Sequence, residues 1–566
     1  MDTAVTGQDV RLLDRVNRTD LVDAIRLGTK PMQRWFDWEH GGLPFFRNTM
    51  AGKRPHAEIP PGQPLGNGHH PSYSLSHVPG RWLDALLNAE AVTGAPIESM
   101  AEANLRHWLH RSMSHPIGLP ACLDLTRFEI IPVSDLHNLR EVMHGLAALR
   151  QYRDDAECEE VGEAMIAVID DYLDFESGVW DEERYNRERG GWTFFSPPAT
   201  VEAAGWDKSR HVEGLCFPQT FGRYLGALMR FYAATGSGTA LDQAVRLRNH
   251  MMDVTFADPS RYDVSLLGAH THSVTSAISG LARFAAATGD GAVFDRIEAM
   301  FDGLLADIAT DFGWCTENFH RDDHYGEMNN TADMAETALL LGQAGRTRFY
   351  QLAEGMVRSH ILPSQLRDSR FISDDIEPHL AEWSEGAFGF PCPYGLVEEE
   401  GGWISYNWDI VGGGVSGLCE ILRHSVTRAG DRGIVSINMP FDGQYDVVDV
   451  ASPYGVGAST LRVGVSAPCT LRIRLSDWCV DHRLSVRSGN AGAVASTRAG
   501  EWLYLSGLRP GHEIEVAYDL AVRRKDYPIK ARGIGATWTG DEITAMDLAI
   551  DPPLRFIPPS QGETMP

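Results

Sequence analysis

The stretches YLGALMRFYAATG (224–236) and ISGLARFAAATG (278–289) decide how this chain is read. In each, apolar residues recur at i, i+3, i+4 and i+7, the spacing of one buried helical face. A glycine then follows where a helix ends in the left-handed conformation. WLDALLNAEAVTG (82–94) and ETALLLGQAG (336–345) repeat the pattern, and LREVMHGLAALRQY (139–152) repeats it without the terminal glycine. Gly236, Gly289 and Gly345 stand 53 and 56 residues apart, room for a helix, an amphipathic partner and a loop. VSGLCEILRHSV (415–426) supplies a sixth copy. Six hairpins closing on themselves predict an (α/α)6 toroid whose inner helices turn their loops to one mouth. An open solenoid is the alternative, but its repeats are shorter and its connections more alike than these.

From Gly433 the pattern changes period. CTLRIRL (469–475) puts Leu471, Ile473 and Leu475 on one face, as a half-buried strand does. EWLYLSGL (501–508), HEIEVAYDLAV (512–522) and EITAMDLAI (542–550) follow, parted by glycine turns. The expected fold class is therefore mainly α: an (α/α)6 barrel over 1–432, followed by an antiparallel β-sandwich over 433–566.

Composition narrows the partners. Across 566 residues, 77 Asp+Glu oppose 50 Lys+Arg, a net charge of −27, which argues against nucleic acid and anionic membranes. No run approaches the length of a membrane span, and the start, MDTAVTGQDVRLLDRVNRTD, lacks the basic and apolar regions of a secretory signal. A cytoplasmic protein is expected. The eight cysteines (122, 158, 216, 315, 392, 419, 469 and 479) form no CxxC pair and read as reduced thiols.

Four loop regions hold most of the Trp, His and acidic residues that helical periodicity leaves unexplained. They are WFDWEHGGLPFF (35–46) with GNGHHPSYSLSHVPGRW (66–82), the segment 178–211 with Trp180, Trp192 and Trp206, GAHTHS (268–273) with WCTENFHRDDHYGEMNNTAD (314–333), and EEEGGWISYNWDIVGGG (398–414). Aromatic rings beside carboxylates and imidazoles suit a sugar, whose apolar face stacks on the ring while its hydroxyls find donors and acceptors. His270 and His272 flank Thr271, and His320 and His324 lie i, i+4. With no HExxH present, they read as hydrogen-bonding histidines, and neither metal nor cofactor is expected.

Several segments, taken in order, resemble glycoside hydrolase family 127, the bacterial β-L-arabinofuranosidases: HVPGRWLDALLNAEAVTG, HNLREVMH with His137 and His144, HTHSVTSAISGLARFAAATGD, EMNNTADMAETALLLG, RFYQLAEGMVRSHILPSQ, LRIRLSDW and WTGDEITAMDLAI. The resemblance runs from about residue 75 to the end and implies an (α/α)6 catalytic domain followed by β-sandwich material. In that family a glutamate two residues before a cysteine ligates zinc; here the stretch is Glu327-Met328-Asn329. The family's Trp-Cys-Cys-Val-Gly-Thr-Gly-like segment, whose first cysteine is the nucleophile, matches Trp408-Asp409-Ile410-Val411-Gly412-Gly413-Gly414. Asp409 thus stands in the nucleophile's place, and Glu317 matches the general acid/base glutamate.

These residues imply a glycoside hydrolase, exo-acting on a furanoside or related non-reducing-end sugar, that uses a carboxylate pair instead of zinc–thiolate chemistry. Glu317 would be the acid and Asp409 its ionised partner, as nucleophile or as base for water. Glu327, His270, His272 and His137 would bind hydroxyls or orient the pair. His320, Asn329, Tyr406, Trp408 and Trp192 complete the expected substrate contacts. Asp409 is equally suited to cap a helix over 415–426, and Asp333 and Glu336 read as helix-face residues. A sugar isomerase, epimerase or polysaccharide lyase using His270, His272, His320 and Tyr406 is the alternative enzyme. A catalytically inactive carbohydrate-binding homologue is the third reading. The partner expected throughout is a small glycoside or oligosaccharide, with a homodimer allowed.

Overall fold

In the computed structural model the repeats form a closed double ring of twelve helices. The structure describes residues 10–12, 20–46, 68–193, 216–319, 326–367, 382–391, 396–397, 408–429, 433–454, 459–480, 484–489, 494–528, 534–547 and 554–555. The ring helices are α1 (Leu21–Met32), α2 (Val78–Thr93), α3 (Ser99–Ser112), α4 (Leu139–Arg153), α5 (Ala156–Tyr172) and α6 (Phe221–Thr235). They continue as α7 (Gly238–His250), α8 (Thr271–Thr288), α9 (Gly291–Asp302), α10 (Met328–Gln343), α11 (Arg348–Met356) and α12 (Trp408–Ser425). The even-numbered helices form the inner ring, each packed on the next, and α12 closes back onto α2. Each inner helix has an outer partner, and the partner of α12 is α1, so the first helix completes the last hairpin.

The repeat glycines end helices as their spacing requires. Gly94, Gly236 and Gly289 have φ of 68°, 73° and 73°, a conformation costly for residues with a Cβ. In the copy without glycine, Asp154 takes that place at φ 53°. Inner helices approach closely through small residues: a Cβ on Gly80 of α2 would come within 2.1 Å of the Glu141 carbonyl oxygen on α4. Helix α12 starts seven residues before the expected 415, so Gly412, Gly413 and Gly414 lie inside it. Their lack of side chains, which read as a loop, lets the helix press on Arg81, Asn329 and Phe388.

Beyond α12 the chain is β-rich. One five-stranded sheet runs in the order Val426–Ala429, Ile434–Ile437, Cys469–Arg474, Trp502–Leu508 and Ala495–Ala499. The other runs Gly443–Tyr445, Val448–Ala451, Thr460–Val465, Glu513–Ala517 and Ser485–Ser488. Leu471, Ile473 and Leu505 from the first and Leu461, Val463 and Val516 from the second share one core, which makes a sandwich. All pairs within it are antiparallel except Ile434–Ile437 beside Cys469–Arg474. A third sheet, Val522–Tyr527, Ile534–Thr539 and Glu542–Asp547, takes Val10–Leu12 as its edge strand and packs Trp538 and Ile543 with Phe312 and Trp314 of the toroid. Glu354 of α11 ties the halves together, accepting from Arg358 at 2.8 Å and from Arg474 of the sandwich. Among the described residues no helix is long and apolar enough to cross a membrane.

Candidate active site

All six inner helices begin at the same end of the barrel, so their first turns converge. A helix N-terminus presents unpaired N–H groups and a positive dipole, which favours acidic residues there. The turns are charged nonetheless with both signs: His77 and Arg81 on α2, Arg140 and Glu141 on α4, Arg223 on α6, His272 on α8, Asn329 and Asp333 on α10, and Asp409 on α12. All of these are buried.

Glu141 is the hub. Its carboxylate accepts from Arg223 at 2.5 Å, Arg140 at 3.0 Å and Arg81 at 3.3 Å, so three arginines from three helices meet on one side chain. Burial opposes its charge, but Arg223, His77, Arg140 and Arg81 together hold it well below the ordinary carboxylate range. His77 stands between two helices, with Nδ1 2.8 Å from Asn138 Oδ1 and Nε2 3.1 Å from Asp409 Oδ2. Arg81 lies 4.0 Å from the same Asp409 oxygen, while Asp409 Oδ1 is buried without a hydrogen-bond partner among the described residues. A π-helical turn, Tyr73–His77, opens α2 and brings the Tyr73 ring over His77, 4.7 Å between centroids.

On the opposite wall, Glu327 faces two imidazoles. His272 Nδ1 is 3.1 Å from Oε1, His270 Nε2 is 3.5 Å from Oε2, and Asn329 donates its amide to Oε1 at 2.7 Å. Desolvation works against the Glu327 charge, yet the two histidines hold this carboxyl well below its usual range. Asp333 stands 3.3 Å from His272 Nε2, and accepts from Arg140 at 3.3 Å and Ser276 at 3.0 Å. It is a buried member of the site rather than a helix-face residue. His137 bridges the walls, its ring 6.0 Å from His77 and 5.7 Å from His270. Its Nδ1 donates to the Gln219 carbonyl at 2.9 Å. Burial first and Arg223 second keep it neutral.

The site therefore gathers Asp409, Glu327, His270, His272, His137 and Asn329. Glu317 lies half-buried on a segment running beside the start of α8, its carbonyl accepting from Thr271 N–H at 3.2 Å. Trp192, half-buried, pairs with Val133 on the short strand leading to Asp135 and His137. Two further expectations need correction. Trp408 has 0% exposure and stacks on Trp35 at 4.5 Å, so its ring is core and not a sugar platform. Asp409 lies within the first turn of α12 instead of capping a helix that starts at 415. His320 and Tyr406 fall outside the described residues.

Sequence reasoning missed His77, Arg81, Arg140, Glu141 and Arg223. Inner-ring helices are buried all round, so any charge in their first turns must have an internal partner. That was the available signal.

A ring of six inner helices with polar first turns at one end, backed by a β-sandwich, is an (α/α)6 toroid with a β domain. No protein-family model matches the chain. No curated protein matches it either. Among solved structures it is similar to a GH127 β-arabinofuranosidase, with 13% identity over 94% of this chain and 84% of that one and a TM-score of 0.55. It is also similar to a GH127 β-L-arabinofuranosidase from Geobacillus stearothermophilus T6, with 12% identity over 95% and 86% and a TM-score of 0.56. The family resemblance read from short segments thus extends to the whole fold.

The zinc–thiolate centre implied by that resemblance does not fit these residues. Asn329 offers Glu327 an N–H where a thiolate would stand, Ile410 is a buried hydrocarbon, and Asp409 is engaged by His77.

Proposed function

We propose that the chain is a glycoside hydrolase, exo-acting on a furanoside or related sugar, with a carboxylate pair in place of the zinc–thiolate centre. The observation that carries this reading is Asp409: one oxygen held by His77, the other buried and, among the described residues, unpartnered at the convergence of the inner helices. An acceptor left without a partner at such a point is free to engage a substrate atom. Glu317 would donate the proton to the leaving oxygen. Asp409 would attack the anomeric carbon, or activate water if the two carboxyls stand further apart than about 5 Å. Glu327, His270 and Asn329 would take the sugar hydroxyls.

Glu317→Gln and Asp409→Asn are each expected to lower hydrolysis of the best aryl glycoside by about a thousandfold, with melting temperatures near wild type. Wild-type turnover in both variants would overturn the assignment.

A second reading rests on the row of imidazoles. His77, His137 and His270 stand with ring centroids 6.0 and 5.7 Å apart, the residue type that moves protons at a sugar carbon in an isomerase or epimerase. Incubation in deuterated water separates the two, since isomerisation leaves deuterium on carbon and hydrolysis does not.

A further inference from the structure

We propose that His270, His272 and Glu327 form a divalent metal site of the two-histidine, one-carboxylate kind, distinct in its ligands from the thiolate centre that Asn329 and Ile410 exclude. One atom from each of the three residues lies within 4.8 Å of the others. Two ligands each about 2.1 Å from one ion stand about 3.0–3.4 Å apart at right-angled to tetrahedral geometry. The measured separations are 3.1 Å from His272 Nδ1 to Glu327 Oε1 and 3.5 Å from His270 Nε2 to Oε2. The carboxylate thus stands at or close to that spacing from each imidazole, with one oxygen toward each.

The surroundings orient them as outer partners of metal-bound groups do. His272 presents Nε2 to Asp333 Oδ2 at 3.3 Å, and His270 pairs Nδ1 with Ser273 Oγ at 2.8 Å. Each imidazole therefore turns its near nitrogen to the carboxylate, and His270 has its far nitrogen hydrogen-bonded while that of His272 faces Asp333. Asp333 is itself pinned by Arg140 and Ser276. His272 Nδ1 faces the Glu327 carboxylate, and Nε2 lies 3.3 Å from Asp333 Oδ2. Two imidazole nitrogens and one carboxylate oxygen suit zinc and its neighbours. The coordination positions left over turn toward His270, whose side chain is 29% exposed and is where water or a sugar hydroxyl would enter.

The test reads the metal, not turnover, so it stands or falls apart from the carboxylate-pair reading. The full chain is stripped with chelator and titrated with Co2+ and with Zn2+. One equivalent per chain is expected, with a Co2+ spectrum of nitrogen and oxygen ligands and no thiolate charge-transfer band. Affinity should fall at least ~100-fold in Glu327→Gln and His270→Asn, and about 10-fold in Ser273→Ala, whose residue acts only through His270. Circular dichroism of the metal-free variants separates a lost ligand from a lost fold, and the partly exposed His270 is the safest of the three to change. Absence of binding in the wild type, or unchanged affinity in His270→Asn, would overturn the proposal. So would a thiolate band abolished by Cys158→Ser, because it would move the ion to the cluster of His110, Asp155 and Cys158.

Discussion

In the lower half of the barrel, Arg230 reaches Asp84 at 2.9 Å, Arg423 reaches Glu420 at 2.8 Å, and Arg283 pairs with Glu336. Ser416, Asn88 and Tyr152 complete that set: Ser416 donates to Asp84 at 3.1 Å, and Arg423 donates to the Asn88 and Tyr152 oxygens. In the upper half polar atoms are left over: among the described residues Asp409 Oδ1, Asn329 Oδ1 and Glu141 Oε2 are buried without a hydrogen-bond partner. A cavity of about 40 Å³, lined by Arg81, Arg140 and Asp333 from above and Arg230, Glu336 and Glu420 from below, separates the two clusters and has room for a water. The lower cluster is closed mainly by ion pairs, although among the described residues His144 Nδ1 and Glu336 Oε1 lack a hydrogen-bond partner there too. The upper one keeps unspent acceptors, the mark of a site prepared for something that is not protein.

The sharpest break of this contrast is at its two hubs. Glu141→Gln leaves three arginines around a neutral amide, and Asp84→Asn removes the carboxylate from Arg230. Each is expected to cost about 3–5 kcal/mol of unfolding free energy, measured by urea titration, because the partner charge stays buried. Stability alone will not tell the clusters apart. The difference should appear in ligand protection: a bound sugar should raise the melting temperature of the Asp84→Asn protein as it does the wild type, and lose that effect in Asp409→Asn. Protection that survives in Asp409→Asn would place the sugar elsewhere.

A smaller effect is expected from acid–base linkage at the edge of the upper cluster. Burial pushes the Asp135 carboxyl up to about 6, although it accepts from Ser72 Oγ at 2.9 Å and from His137 N–H at 3.0 Å. In the unfolded chain its ordinary value is 3.8. Between these values the native state holds a proton that the unfolded state has released, so this group makes stability fall as pH rises from about 4 to about 6 and then level off. The full excursion is about 3 kcal/mol. Asp135→Asn keeps an acceptor for His137 and has no proton to lose. The difference between the two proteins' melting curves should therefore widen across that window in favour of the variant. A difference constant with pH would show Asp135 ionised throughout.

The two clusters were not equally legible. Helix period and terminal glycines were enough to foresee the ring, because burial of one face leaves a mark every three or four residues. His270, His272, Glu327, Asn329 and Asp409 stood out because they interrupt that period next to loops. Arg81, Glu141 and Arg223, like Arg230 and Glu420 below, lie within the period, and an arginine facing inward has the same spacing as one facing solvent. Only closure of the ring tells them apart. Trp408 misled for the opposite reason: a tryptophan beside glycines and an aspartate looks like a binding loop, whereas the glycines are there to let α12 approach Arg81 and Asn329.

The smallest test concerns the repeat that lacks its glycine. Asp154 ends α4 at φ 53°, where Gly94, Gly236 and Gly289 end their helices, but its N–H donates five residues back, to the Leu149 carbonyl, whereas theirs donate four residues back. Asp tolerates that conformation better than most residues, and here its carboxylate also reaches Arg150 across the last turn. That pair is exposed at the Asp154 end and so contributes little. Relief of the left-handed strain should outweigh it, and Asp154→Gly is expected to gain about 0.5 kcal/mol in chemical denaturation, less the entropy that glycine adds to the unfolded chain. The cap lies at the far end of α4 from Glu141, so glycoside turnover should not change. A loss of stability instead would mean that the aspartate is retained at this repeat for its contact with Arg150, and that the missing glycine is a substitution of one cap for another.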